Sequence, residues 1–142
     1  MMDDLIGWLC VQLDDDEALA RAAPPGSWTA IPANSQGSIV ERDAPTYPAR
    51  YVIVPDEYGD GVVPADAAHI ARHDPARILR EVEAKRRILN RIESLLRPMP
   101  ADASSAAVGI VTARLTEYEL HVLPLLALPY SDRPGYREEW RP

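Results

Sequence analysis

"AHIARHDPARILREVEAKRRIL", residues 68–89, decides how the rest of the chain is read. It holds two histidines four residues apart, an Asp-Pro step and a run of cations. Three readings compete for it: a metal site, a nucleic-acid patch, or a scaffold helix with a decorated entrance. The Asp-Pro step favours the helix. Asp74 is a good N-cap, and Pro75 suits a first helical turn, where its missing N–H costs nothing. Beyond it Ile78, Val82, Leu89, Ile92 and Leu96 recur at helical spacing, with Leu79, Ile88 and Leu95 widening the stripe. The pattern predicts a helix from Asp74 to about Arg97, stopped by "PMP". At 1.5 Å per residue it would be about 35 Å long, enough to brace a domain or pair with a copy of itself. A shorter helix over 65–73 should lead into it.

Working back from this rod, residues 27–64 read as strands and turns. "WTAI", "SIVE" and "RYVIV" are short apolar pieces set between Pro, Gly, Asn and Asp, the pattern of a small three-stranded antiparallel sheet. "YVIV" is apolar throughout and should be its central strand. "PDEYGDG", residues 55–61, is a turn whose acids lack the spacing and terminal glutamate of a calcium loop. Residues 3–22 form a first helix, capped by Asp3 or Asp4, with Ile6, Leu9, Leu13 and Ala20 on its apolar face. Its acids Asp14–Glu17 read as a solvated face, and "AAPPG" ends it.

Working forward, Val108, Val111, Leu115, Tyr118 and Val122 mark a final amphipathic helix, interrupted near Pro124. "LPLLALPY" should be buried. The tail "SDRPGYREEWRP" should turn at Asp132–Gly135 and dock through Tyr136 and Trp140. The expected fold is therefore a single α+β domain over 1–142. Residues 1–97 make a helix–sheet–helix body, and 98–142 a C-terminal helix and aromatic docking tail.

Composition narrows the function. The chain has 142 residues and a net charge of −7, which disfavours general nucleic-acid binding. The charge is uneven: residues 1–64 carry eleven acids against three bases, whereas 74–97 carry seven bases against four acids. Such asymmetry suits self-association or an acidic half folded on a basic helix. No apolar run reaches the ~18 residues of a membrane span. "MMDDLIGWL" has acids where a secretory leader has cations, so a cytoplasmic protein is expected. With Cys10 as the one cysteine, neither an internal disulfide nor a multi-thiolate zinc site can form.

The stretches "LDDDEALARAAPPGSW" (13–28), "HIARHDPARILREVEAKRRIL" (69–89) and "LLALPYSDRPGYREEW" (125–140) resemble a family of small actinobacterial and actinophage proteins of unknown function. More distantly, the Pro-Gly-x-Trp turn followed by a helix pair resembles the layout of early-region phage accessory proteins called Ead or Ea22-like. The resemblance implies an α+β accessory protein of a mobile element and carries no catalytic residues with it.

The residues themselves leave three functions open. The first is a non-enzymatic accessory protein that works by binding a protein partner or itself, as a homo-oligomer. The second is a sequestering binder of an anionic, nucleotide-like small molecule. Arg50, Arg72 or Arg87 would meet the phosphates, and Trp28 or Tyr51 would stack on the base. The third is a metal-dependent hydrolase using Asp66, His69 and His73, whose spacing can present three ligands on one helical face. The full zincin pattern is missing, because Ile70 stands where its glutamate belongs. His69 then reads as partly buried, and His73 as closing the short helix. Catalysis is otherwise disfavoured. Cys10 lies among acids, Ser27 and Ser38 have no partner nearby in sequence, His121 reads as a boundary residue, and no Gly-rich phosphate loop appears. No cofactor is expected.

Overall fold

The computed structural model describes residues 2–33, 36–41, 51–53 and 62–142, apart from the side chains of 32, 33, 36–38, 41, 51 and 53. In chain order it runs helix α1 (Met2–Ala22), strands β1 (Trp28–Ala33), β2 (Gln36–Glu41) and β3 (Tyr51–Ile53), then helices α2 (Pro64–Arg72), α3 (Pro75–Leu96), α4 (Ser105–Glu117) and α5 (Leu123–Ala127). The protein is mostly helical with a small antiparallel sheet. Packing divides it into two compact units, one of Asp16–Val82 and one joining the residues up to Asp15 to Glu83–Pro142. The division runs through α1 and α3.

In the unit Asp16–Val82, β1 and β2 form an antiparallel hairpin that pairs Trp28 with Glu41 and Ala33 with Gln36. The short β3 pairs with the other side of β2, and the register slips between Ile39 and Val40. The middle strand is thus β2, not the "YVIV" segment. An apolar run marks burial, but neighbours decide strand order. Ile39 of β2 is fully buried. It packs against Ala67 and Ala71 of α2, with Trp28, Ala30, Val52, Val62 and Ile70 around them. The two alanines sit four apart on one helical face and are small enough to let α2 lie close on the strand.

α3 starts where the sequence places it. The Asp74 side chain accepts the Arg77 N–H at 2.7 Å, and the Asp74 carbonyl accepts the Ile78 N–H at 3.1 Å. Val82, Leu89 and Ile92 are buried and Ile78 is half-buried, as the stripe requires; Leu96, in the last turn, is exposed. α1 begins one residue before the acids expected to cap it, so Asp3 and Asp4 occupy its first turn and favour its N-terminal dipole instead. Its predicted face, Ile6, Leu9, Leu13 and Ala20, is buried.

The larger unit closes on an aromatic cluster. Trp8 of α1 meets Tyr130, Tyr136 and Trp140, with ring centroids 6.4, 5.7 and 5.4 Å away. The Trp8 indole donates to the Pro134 carbonyl at 3.1 Å. The tail therefore docks on its own chain, turning at Gly135 with φ +85°. Of "LPLLALPY", Leu123, Pro124, Ala127 and Tyr130 are buried, while Leu125 and Leu128 are exposed. Upstream, a π turn over Tyr118–Val122 sends the Leu123 N–H to the Tyr118 carbonyl. Pro124 explains it: the ring cannot follow a tight helical turn without striking the carbonyl four residues back. α4 differs most from expectation. It buries none of its residues.

Candidate functional site

A candidate site lies within Asp16–Val82, where β1 meets the junction of α2 and α3. An open cavity of about 440 Å³ is lined there by Trp28, Thr29, Arg72, Asp74, Arg77 and Arg80, among others. Its walls follow from local structure. Arg72 is the last residue of α2, Asp74 caps α3, and Arg77 and Arg80 follow on successive turns of that helix. Trp28 opens β1 directly after the turn at Gly26, whose φ of +101° suits glycine.

Hydrogen bonding decides which of these groups is available. The Asp74 carboxylate is buried and accepts two backbone N–H groups, from Arg77 at 2.7 Å and Trp28 at 3.2 Å. Arg77 is also committed, with Nε on Glu81 at 2.7 Å and Nη1 on the Arg72 carbonyl at 3.2 Å. The guanidinium groups of Arg72 and Arg80 meet no hydrogen-bonding or ionic partner among the described residues. Trp28 spends its indole N–H on the Pro24 carbonyl at 3.2 Å, so only ring surface is left for a ligand. Three cations and one carboxylate leave the cavity with an excess of positive charge, in a chain that is acidic overall. The chemistry on offer is a forked, charge-assisted grip on an oxyanion beside an aromatic wall.

Of the residues singled out from sequence, Trp28 and Arg72 come together here. Arg50 and the Tyr51 side chain lie outside the described residues. Arg87 belongs to the other unit, where its Nε bridges Glu83 at 2.8 Å on an exposed face. Sequence reasoning missed Arg77 and Arg80 as site residues. Their signal was legible: Arg77 lies three positions after the capping aspartate and Arg80 three after Arg77, so each is a helical neighbour of the one before. The rest of the run of cations in α3 is dispersed. Arg86 bridges Asp14 at 2.6 Å, and Lys85 donates to the Tyr130 hydroxyl at 2.9 Å.

His69 and His73 stack with centroids 4.4 Å apart. His73 closes α2, its Nδ1 lying 2.8 Å from the His69 carbonyl, which fixes that nitrogen as the donor. His69 is exposed, not partly buried. Asp66 is exposed in the first turn of α2, and among the described residues no group of three or more His, Cys, Asp or Glu side chains gathers as a metal-ligand set. Cys10 is half-buried, and its thiol is pushed above its ordinary pKa, first by burial and then by the Glu93 and Asp14 carboxylates, with Arg86 opposing. It is a poor nucleophile at neutral pH. A second cavity, of about 200 Å³, lies in the larger unit between Leu5, Leu120, Pro124 and Trp140, rimmed by Glu119, Glu139 and Arg141. It has no excess of positive charge.

A family of unknown function, DUF6221, matches residues 2–142. The chain belongs to that family. The match to DUF6221 spans both units, including the arginine-lined cavity and the aromatic tail. No curated protein and no solved structure matches the chain. Among the described residues, no helix is long and apolar enough to cross a membrane.

Proposed function

We propose that the protein binds a small anionic ligand, a phosphate-bearing and nucleotide-like molecule, in the cavity between Trp28, Arg72 and Arg80, and that it acts by holding this ligand. One observation carries the reading. Two guanidinium groups without partners among the described residues and a pinned indole line one cavity of about 440 Å³. A cavity of this size lies in the usual range for small-molecule sites. Each charge-assisted hydrogen bond to phosphate contributes about 1.5–3 kcal/mol. The capped N-terminus of α3 has already given its Arg77 N–H to Asp74, so the arginine side chains supply the grip. The reading takes up the second of the functions expected from the sequence, a sequestering binder of an anionic, nucleotide-like molecule, in place of the first.

The test is calorimetric titration with inorganic phosphate and with nucleoside mono- and diphosphates. Saturable binding is expected, weakened at least tenfold by Arg72→Ala or Arg80→Ala. Absence of binding by every phosphate ligand, or unchanged binding in the double variant, would remove the proposal.

A further inference from the structure

We infer that His69 and His73 form a two-imidazole chelate for a divalent transition-metal ion at the C-terminal end of α2. Residues four apart are neighbours on a helix, and imidazole nitrogen suits zinc, nickel and copper(II). The two ring centres stand 4.4 Å apart, with the planes tilted by 39°. An ion holds an imidazole nitrogen at ~2.1 Å, which puts the ring centre ~3.2 Å from the ion. Two such rings at right angles about one ion have centres ~4.5 Å apart. The histidine pair already has that separation.

His73 is prepared for the role. Its Nδ1 donates to the His69 carbonyl at 2.8 Å, which puts the free lone pair on Nε2. Metal-bound histidines characteristically give their second ring N–H to such an acceptor, because it fixes tautomer and ring orientation. The backbone is held as well, the His73 N–H donating to the carbonyls of His69 and Ile70 at 3.3 and 3.0 Å. An ion therefore meets one ligand already ordered, and less entropy is lost on binding. The His69 ring has no hydrogen-bonding partner among the described residues, so it can turn either nitrogen to the ion.

Local charge has contributions of both signs. His69 lies in the last turn of α2 and His73 is its C-cap, where the helix dipole presents its negative end. Asp66, one turn before His69, is exposed and adds attraction at a distance. Arg72 opposes, although its side chain lines the cavity. Arg77, with Nη1 on the Arg72 carbonyl at 3.2 Å, is balanced by Glu81 at 2.7 Å. Both histidines are exposed, so water completes the shell of the ion. Two protein ligands are one short of the usual catalytic zinc centre, so the inference is reversible binding and not hydrolysis. Neither histidine lines the arginine cavity, so this proposal and the phosphate site can fail separately.

The test is calorimetric titration of the untagged full chain with nickel and zinc chlorides at pH 7.5. One saturable site of micromolar affinity is expected. His69→Ala and His73→Ala should each weaken nickel binding at least tenfold, because a chelate that loses one arm loses the gain of intramolecular attachment. Both positions are exposed, so neither substitution opens the core. His121→Ala, in the other unit, should leave the affinity in place. Ring-nitrogen NMR signals of His69 and His73 should shift together on adding zinc, and those of His121 should stay. Absence of saturable binding would overturn the inference. So would dependence on only one of the two histidines, or a loss of only about twofold in each variant, the mark of independent imidazoles.

Discussion

The carboxylate of Asp74 accepts the Trp28 backbone N–H at 3.2 Å while it holds the Arg77 N–H at 2.7 Å, so one side chain fixes the start of a strand and the start of a helix. Asp74 is only 8 % exposed, and water cannot readily replace it. Losing an N-cap costs about 1 kcal/mol, and leaving the part-buried Trp28 N–H without its partner up to about 3 kcal/mol more. Asp74→Ala should therefore lower unfolding stability by about 1–4 kcal/mol in urea titrations. Asp74→Asn should cost less, since its amide oxygen still caps α3. It should also strengthen phosphate binding, because it removes the one negative charge lining the cavity.

Salt separates the cavity from the remaining basic surface. Raising ionic strength from about 50 to 300 mM should weaken phosphate affinity several-fold, as screening acts on Arg72 and Arg80. Arg87→Ala should leave the calorimetric affinity unchanged. Arg87 is paired with Glu83 in the other unit.

Two glycines provide a matched pair of backbone tests. Gly135 has φ +85°, and a Cβ there would lie 3.0 Å from Trp8 Nε1; Gly26 has φ +101° with open space around it. Gly26→Ala should cost about 1 kcal/mol, from backbone strain alone. Gly135→Ala should cost more, up to about 3 kcal/mol, by displacing the indole that donates to Pro134. Equal losses in thermal unfolding would mean that the tail contact adds nothing.

Cys10 predicts a pH dependence of definite sign. Burial and the carboxylates of Glu93 and Asp14 raise the folded thiol above its ordinary pKa, so the thiolate forms more readily in the unfolded chain. The resulting stabilisation is fully present below the unfolded thiol pKa and is lost as pH rises through the folded one. Alkylation at pH 7.5 should be slower than for an exposed thiol, and Glu93→Gln should speed it. A rate matching a free thiol would contradict the assignment.

Local signals made much of the fold legible. The Asp74-Pro75 start of α3 and the buried faces of α1 and α3 follow from side chains acting within a turn or two of their own position. The second role of Asp74 was not legible, because its Trp28 partner lies 46 residues away. The middle strand was misread for a similar reason: "QGSIVE" shows only Ile39 and Val40 as apolar, and pairing on both sides gives it its place. The candidate site was half legible. Trp28 and Arg72 stood out as types, whereas Arg77 and Arg80 gained their meaning from the turn that aims them beside β1. Arg87 looked equivalent in composition, but a salt bridge on an exposed face absorbs it. α4 carried a helical pattern, but a pattern shows only that a face is apolar and not what covers it.

The distribution of the indoles has a practical consequence. Trp8 and Trp140 sit together in one compact unit, and Trp28 lies in the other, at the wall of the cavity. A chain carrying Trp8→Phe and Trp140→Phe would keep a single emitter beside Arg72, whereas Trp28→Phe would leave only the pair at the tail. Fluorescence of the two variants would follow ligand entry and tail release as separate optical channels, with no label attached.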